Sequence, residues 1–294
     1  MDISVSGRSE TAGEATGTQA IGRAVGLLRL LASTRNRGAS LGEMVEASGL
    51  AKPTCRRILL ALIDAGLAEQ DEASRRYYLG PEAYVLGTVA AERFGIHRLA
   101  REHVLRLARE TGDAAFLQIR RDHAVVCLQR EDGDYPLRSH VLAAGDRHPL
   151  GAGAGGITLL AALPDAEVEA VLAANATVYA ERYPVLTREV LLGLVTEARA
   201  TGYGINRGLL FPGSWGMGVV VRDAEGRPDA CLSLAAVESR MQPDRQPELY
   251  RLLRQEADRL EARLRAFAVP ADDRLSALAP APVQRRRAGE RRSA

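Results

Sequence analysis

Residues 39–80 read ASLGEMVEASGLAKPTCRRILLALIDAGLAEQDEASRRYYLG. Ser40 and Glu43 have the spacing of a capping box. In that motif the hydroxyl accepts from the Glu43 amide and the carboxylate accepts from the Ser40 amide. The box opens a short helix with Leu41, Met44 and Val45 as its apolar side. Gly49 ends it and allows a left-handed turn. Leu50 fills the angle between two helices, and Pro53 opens the second, where its missing amide costs nothing. Ile58, Leu59, Leu62 and Ile63 recur at helical spacing on the inner side, while Lys52, Thr54, Arg56 and Arg57 lie on the other. Gly66 closes this helix, and two short strands, 67–70 and 76–79, follow around a polar turn. Helix, tight turn, basic helix and hairpin in this order make a winged helix-turn-helix, whose second helix enters a DNA major groove.

The outward residues suit that task. Thr54 can donate to a phosphate or touch a thymine methyl. Arg56 and Arg57 can form forked hydrogen bonds to guanine or phosphate. Lys52 is the sole lysine among 39 basic residues, a compact charge at a helix start. Arg75 and Arg76 in the wing can enter an adjacent minor groove. Residues 19–80 hold nine basic and six acidic side chains. A surplus that small means that affinity leans on pairing of two copies as well as on counterion release.

A chain of 294 residues suggests two domains. Hydrophobic residues make up 46% and aromatics 4%, so the cores are aliphatic. A net charge of +2 argues neither for nor against nucleic acid. Cys55, Cys127 and Cys231 are odd in number and far apart, which implies reduced thiols in a cytoplasm, without disulfides or zinc spacing. No cofactor or metal is expected. The first 19 residues contain no apolar run of a signal peptide, and no stretch is apolar enough to span a bilayer.

Residues 1–18 are small and polar, and 269–294 are rich in Ala, Pro and Arg, so both ends read as disordered. A first helix is expected over 20–33 and a connecting helix over 81–94. The latter carries Tyr84, Val85, Leu86, Val89 and Ala90, too apolar for a solvated linker. A helix over 97–110 begins the second domain. Strands are expected at 114–120, 124–130, 137–142, 203–206, 217–222 and 230–236. Between them fall a Gly/Ala-rich helix at 151–162, a helix capped by Asp165, and one running from the Thr187 cap to Gly202. A long helix over 244–267 closes the fold. The chain is therefore α+β, with a DNA-reading domain at 19–80, a linker helix at 81–95 and a second domain at 96–268.

This pattern resembles the IclR family of bacterial transcription regulators. QAIGRAVGLLRLLA at 19–32 resembles the family's opening, with Arg23 as its basic residue. GLAKPTCRRILLAL at 49–62 resembles its recognition helix and YYLG at 77–80 its wing end. GDRHPLGAGAGGITLLAALP at 145–164 resembles one wall of its effector cavity, and residues 202–240 its terminal signature. The resemblance implies a GAF-like effector-binding domain, a homodimer or dimer of dimers, duplex operator DNA and a small organic acid as partners, and no membrane. It places Ala154 and Gly155 as backbone donors to the ligand, Ser214 and Gly216 on the cavity wall, and Ser233 as a binding hydroxyl. His140 and His148 fall where relatives are apolar, and Asn206 where some carry an acid. A second serine of the family is Ala235 here. With the bulky Phe211 and Trp215, these departures lean toward a larger, aromatic or aliphatic carboxylate.

Helix starts rich in glycine bind anions through exposed amides and the positive dipole end. Rival readings exist for the same residues. Gly151, Gly153 and Gly156 match a dinucleotide fingerprint, but no parallel strand–helix–strand unit surrounds them. Ser214 in PGSWG does not fit the small-x-Ser-x-small helix turn of a nucleophile elbow. Cys127 sits among apolar residues, as structural cysteines do. An enzyme acting on a small carboxylate or nucleotide, or a winged helix that binds protein, are the alternatives to a DNA-binding regulator.

Overall fold

A computed structural model describes residues 12–93, 95–137 and 142–267. The N-terminal part comprises helices α1 (Ala12–Thr34), α2 (Leu41–Ser48) and α3 (Lys52–Asp64), then strands β1 (Ala68–Gln70) and β2 (Tyr77–Leu79). Helix α4 (Pro81–Arg93) leads to α5 (Ile96–Thr111), and strands β3 (Ala114–Arg121), β4 (Ala124–Glu131) and β5 (Arg147–Pro149) follow. Next come helices α6 (Gly153–Ala161), α7 (Asp165–Ala174), α8 (Ala176–Arg182) and α9 (Arg188–Thr201). Strands β6 (Gly204–Arg207), β7 (Ser214–Val221) and β8 (Ala230–Val237) and the helix α10 (Gln246–Phe267) complete the chain.

Both capping-box bonds of α2 are present, and Gly49 ends the helix in the left-handed region at φ 66°. Leu27, Leu31, Met44, Cys55, Leu59 and Tyr77 close one small aliphatic core. The wing is antiparallel, with Glu69 opposite Tyr78. Ala39 bridges Tyr77, which fastens the wing to the start of α2.

The second part is built on one antiparallel sheet of order β5-β4-β3-β8-β7-β6. Alternate residues of each strand face opposite layers. Ala115, Leu117 and Ile119 of β3 and Leu232 and Leu234 of β8 pack on α5 and α10. The opposite face carries Val125 and Cys231 toward α6, α7 and α9. Burial on both faces explains why β8 reads as a continuous apolar run, ACLSLAAV.

Several expectations are corrected. Helix α1 starts at Ala12 rather than at residue 20, since nothing in that stretch breaks a helix already anchored by Leu27 and Leu31. The residue that caps α7 is Pro164, and Asp165 lies inside the helix and pairs with Arg199 at 2.6 Å. Helix α8 was not expected. Its seven residues hold one buried anchor, Tyr179, too few for a periodic stripe. Of the expected strand 137–142, residues 138–141 lie outside the described residues. Leu137 and Leu142 are not in a strand, and β4 pairs with β5 on the side away from β3. The disorder expected of the first residues and of 269–294 also lies largely outside them.

Candidate functional site

The outer face of α3 is open. Lys52, Arg56 and Arg57 are exposed, and their side chains make no ion pair or hydrogen bond among the described residues, while Cys55, Leu59 and Leu62 hold the opposite side in the core. Pro53 and the half-buried Thr54 occupy the first turn, and Arg23 is exposed on α1. Ser40 sits at the start of α2, its hydroxyl accepting from Glu43 N. Arg75 lies at the tip of the wing at φ 57°, held there because Asp71 accepts from the Ser74 amide at 2.7 Å.

Arg76 departs from its expected role. It turns inward, donating to the Arg37 carbonyl at 2.8 Å, the Gly38 carbonyl at 3.1 Å and the Glu43 carboxylate at 2.7 Å. Those acceptors fix the wing against the first turn of α2, so its guanidinium is a structural tie. The Ser40 amide, with Arg37 beside it, holds the Glu43 carboxyl down at about 2. Glu43 is thus charged at any working pH.

The second site is a cavity between the sheet and α6. His148, Ala154, Gly155, Asn206, Ser214, Trp215, Gly216 and Ser233, expected together, all line it; His140 lies outside the described residues. Helix α6 has no side-chain cap. The amides of Gly153, Ala154 and Gly155 at its start therefore lack intrahelical acceptors, and all three residues line the cavity. Thr158 fixes α6 in place: its hydroxyl donates to the Ala154 carbonyl at 2.8 Å and accepts from Gly204 N at 3.2 Å. A Cβ on residue 155 would stand 1.7 Å from Gln118 Oε1 and 2.9 Å from Cys231 Sγ, so glycine there lets α6 sit this close to β3 and β8.

Around this helix start the polar groups converge. Asn206 Oδ1 accepts from Leu209 N at 2.9 Å, which leaves its NH2 group for the cavity. Ser233 is buried and accepts from Gln118 Nε2 at 3.4 Å. Gln118 lies abreast of Cys127 and Cys231 on the neighbouring strands and accepts from the Cys231 thiol at 3.8 Å. Sequence reading missed Gln118. A lone polar residue in AAFLQIRR does mark a strand face that is not pure core, and that was the available signal. Burial pushes the Cys127 thiol up to about 12 and raises that of Cys231, so neither is a nucleophile at neutral pH. No group of three or more His, Cys, Asp or Glu suited to a metal occurs among the described residues. Nor is any helix among them long and apolar enough to cross a membrane.

A helix-turn-helix with a bare basic face, joined to an α+β domain enclosing a cavity, defines the class of DNA-binding transcriptional regulators. The sequence places it more closely. Residues 88–262 match the model of the bacterial transcriptional regulator IclR C-terminal domain, and residues 20–72 that of the IclR helix-turn-helix domain. The chain belongs to the IclR family of bacterial transcriptional regulators. It is 28% identical over 210 residues to the HTH-type transcriptional regulator KipR of Bacillus subtilis, spanning 71% of this chain and 83% of that protein. It is 32% identical over 199 residues to the HTH-type transcriptional regulator TtgV of Pseudomonas putida, spanning 66% and 72%. The crystal structure of an IclR regulator from Alicyclobacillus acidocaldarius superposes with a TM-score of 0.69 at 27% identity, covering 83% of this chain and 98% of that one. An IclR homolog from Microbacterium hydrocarbonoxydans, complexed with 4-hydroxybenzoate, shares the fold at a TM-score of 0.67 and 22% identity, covering 84% and 99%. The relatives are named as regulators of transcription, not enzymes.

Proposed function

We propose that two copies of the chain pair, lay their α3 helices in successive major grooves of a near-palindromic operator, and respond to a small organic carboxylate bound in the cavity. Residues 19–80 act as the reading head, 81–95 as the connector and 96–268 as the sensor. The observation that carries this is the uncapped start of α6, whose first three residues line the cavity together with Ser233 and Asn206. Amides at such a start, with the helix dipole behind them, bind a carboxylate without needing a cation. The Microbacterium homolog's 4-hydroxybenzoate lends support to an aromatic acid. So do the Phe116, Phe211 and Trp215 rings on the walls.

The cavity measures only about 60 Å³. That is space for a few waters, so an acid of benzoate size must displace part of the wall. Phe211, 49% exposed, is the side chain free to yield. Ligand binding therefore selects a different arrangement of the second domain, and differential affinity for two arrangements is what alters the spacing of the reading heads. Pairing draws on exposed apolar side chains that monomers seldom leave in water: Ile21 on α1 (68% exposed) and Tyr84 and Val89 on α4 (78% and 65%). DNA as partner makes the cytoplasm the place of action.

Thermal-shift measurement of the purified chain against a panel of carboxylates tests the reading. A ligand of the folded state raises the melting point. Ser233→Ala should shrink that rise and leave operator affinity in place. A panel in which no carboxylate moves the melting point contradicts the proposal.

A further inference from the structure

The polar groups of the cavity come from separated strands of the sheet. Ser233 on β8 and Asn206 on β6 line it with Gly153, Ala154 and Gly155 of the α6 start. His148 lines it from the edge strand β5. Three strand intervals separate β5 from β8, each about 4.8 Å. The wall between them carries Phe116, Val125 and Cys127, and Gln118, whose amide is engaged with Ser233. An occupant that touches both Ser233 and His148 is polar at each tip and apolar between.

His148 is held in place. Its Nδ1 lies 2.8 Å from the Tyr183 hydroxyl, with the two rings edge to face at 6.1 Å. With Nδ1 engaged, Nε2 is the ring atom left for the cavity. Burial lowers the imidazole's pKa and Arg182 lowers it further, against the opposing pull of Asp146, so the ring is neutral at pH 7. No lysine or arginine lines the cavity among the described residues. A second carboxylate at this end would lose its water, and no described lining residue is a cation to offset that loss. A hydroxyl would meet a matched partner.

We propose that His148 is a specificity residue: it reads an uncharged hydroxyl at the end of the ligand opposite the carboxylate, and Tyr183 is the residue that positions it. This rests on the organic-acid reading of the cavity and narrows the ligand to a hydroxylated monocarboxylate. A site built to hydrogen-bond a hydroxyl rejects the analogue that lacks it, since a buried polar atom is then left unpaired.

Isothermal titration calorimetry on the full chain tests this with 4-hydroxybenzoate, benzoate and terephthalate, and with 5-hydroxypentanoate and pentanoate. The expected result is a hydroxy acid bound roughly tenfold tighter than its unsubstituted partner, with terephthalate weaker than either benzoate. His148→Leu should bring the members of the preferred pair to within about twofold of each other. Tyr183→Phe, which leaves the imidazole present but unanchored, should narrow the preference part of the way. Equal affinities within both pairs in the unaltered protein, or a preference that survives in the His148→Leu and Tyr183→Phe proteins, overturns the assignment and leaves the organic-acid reading standing. Failure of all five acids to bind overturns both.

Discussion

His103 on α5 lies 2.7 Å, through Nδ1, from Glu256 Oε2 on α10, and both side chains are almost wholly buried. Arg106 donates to the same carboxylate at 2.8 Å, and Arg259 also pairs with Glu256. The other ring nitrogen, Nε2, is buried with no partner among the described residues. A neutral imidazole with its proton on Nδ1 tolerates this; a second N–H there would have nothing to donate to. Burial accordingly lowers the pKa of His103 against the pull of Glu256, with Arg106 and Arg263 adding to the lowering. An unfolded chain takes up that proton near 6.5, whereas the folded one resists it. The stability due to the neutral ring is therefore complete above about 6.5 and is lost as pH falls through the lower, folded value. His148 has the same sign. Glu256, also lowered, continues the loss at more acidic pH. The urea midpoint should fall between pH 7 and pH 5, and the fall should be shallower in His103→Gln, which keeps a donor for Glu256. An equally steep fall in the variant would contradict this account of the buried cluster.

At the scale of elements, the contact between α6 and β6 fixes the cavity wall. A Cβ on Gly204 would stand 2.5 Å from Thr158 Oγ1, 2.7 Å from Thr158 N and 2.9 Å from the Ala154 carbonyl. Two of these are backbone atoms that cannot swing aside, so Gly204→Ala should cost about 1–3 kcal/mol and weaken ligand binding. A loss in denaturant titration below about 0.5 kcal/mol would show that the wall is softer than described. This contact also marks the boundary of what sequence shows. Elements with a local signal were legible: the capping box of α2, the left-handed Gly49, the Thr187 cap and Gly202 end of α9, the apolar stripe of α10. The glycine-rich stretch of α6 was legible as a helix. The reason for Gly155 was not, because the clashing Gln118 lies 37 residues upstream and arrives only through strand pairing. Arg76 was read as a groove-reaching side chain because its three acceptors, Arg37, Gly38 and Glu43, come together only once the wing folds back. Helix α8 stayed silent for want of periodicity, and β5 is three residues long.

For the whole molecule, what matters is how cavity and reading head are joined. Arg35 follows α1 in the left-handed region at φ 50° and pairs with Asp146 at 2.8 Å. Asp146 also accepts from the Ala143 amide at 2.8 Å and precedes β5, which carries His148. The pair thus runs from the reading head to the cavity wall. Both side chains remain partly exposed, at 50% and 24%, which limits the pair to about 1 kcal/mol, or roughly a fivefold change in coupling. Arg35→Gln should reduce the ligand-dependent change in operator affinity by no more than that. If it weakens operator binding equally with and without ligand, Arg35 contacts DNA and transmits nothing. Within the reading head, Arg56→Ala should cost about 1–3 kcal/mol and relax base preference if the guanidinium reads a base. Uniform weakening on all sequences would place it on phosphate. The central claim is that the bare basic face of α3 lies in duplex DNA. Footprinting of the purified protein on its own upstream DNA, across a salt series, tests this most directly. The account predicts a protected near-palindrome whose affinity falls steeply with salt and is lost in an Arg56→Ala, Arg57→Ala double variant. No protection at low salt, with or without ligand, or protection indifferent to those two arginines, would contradict it.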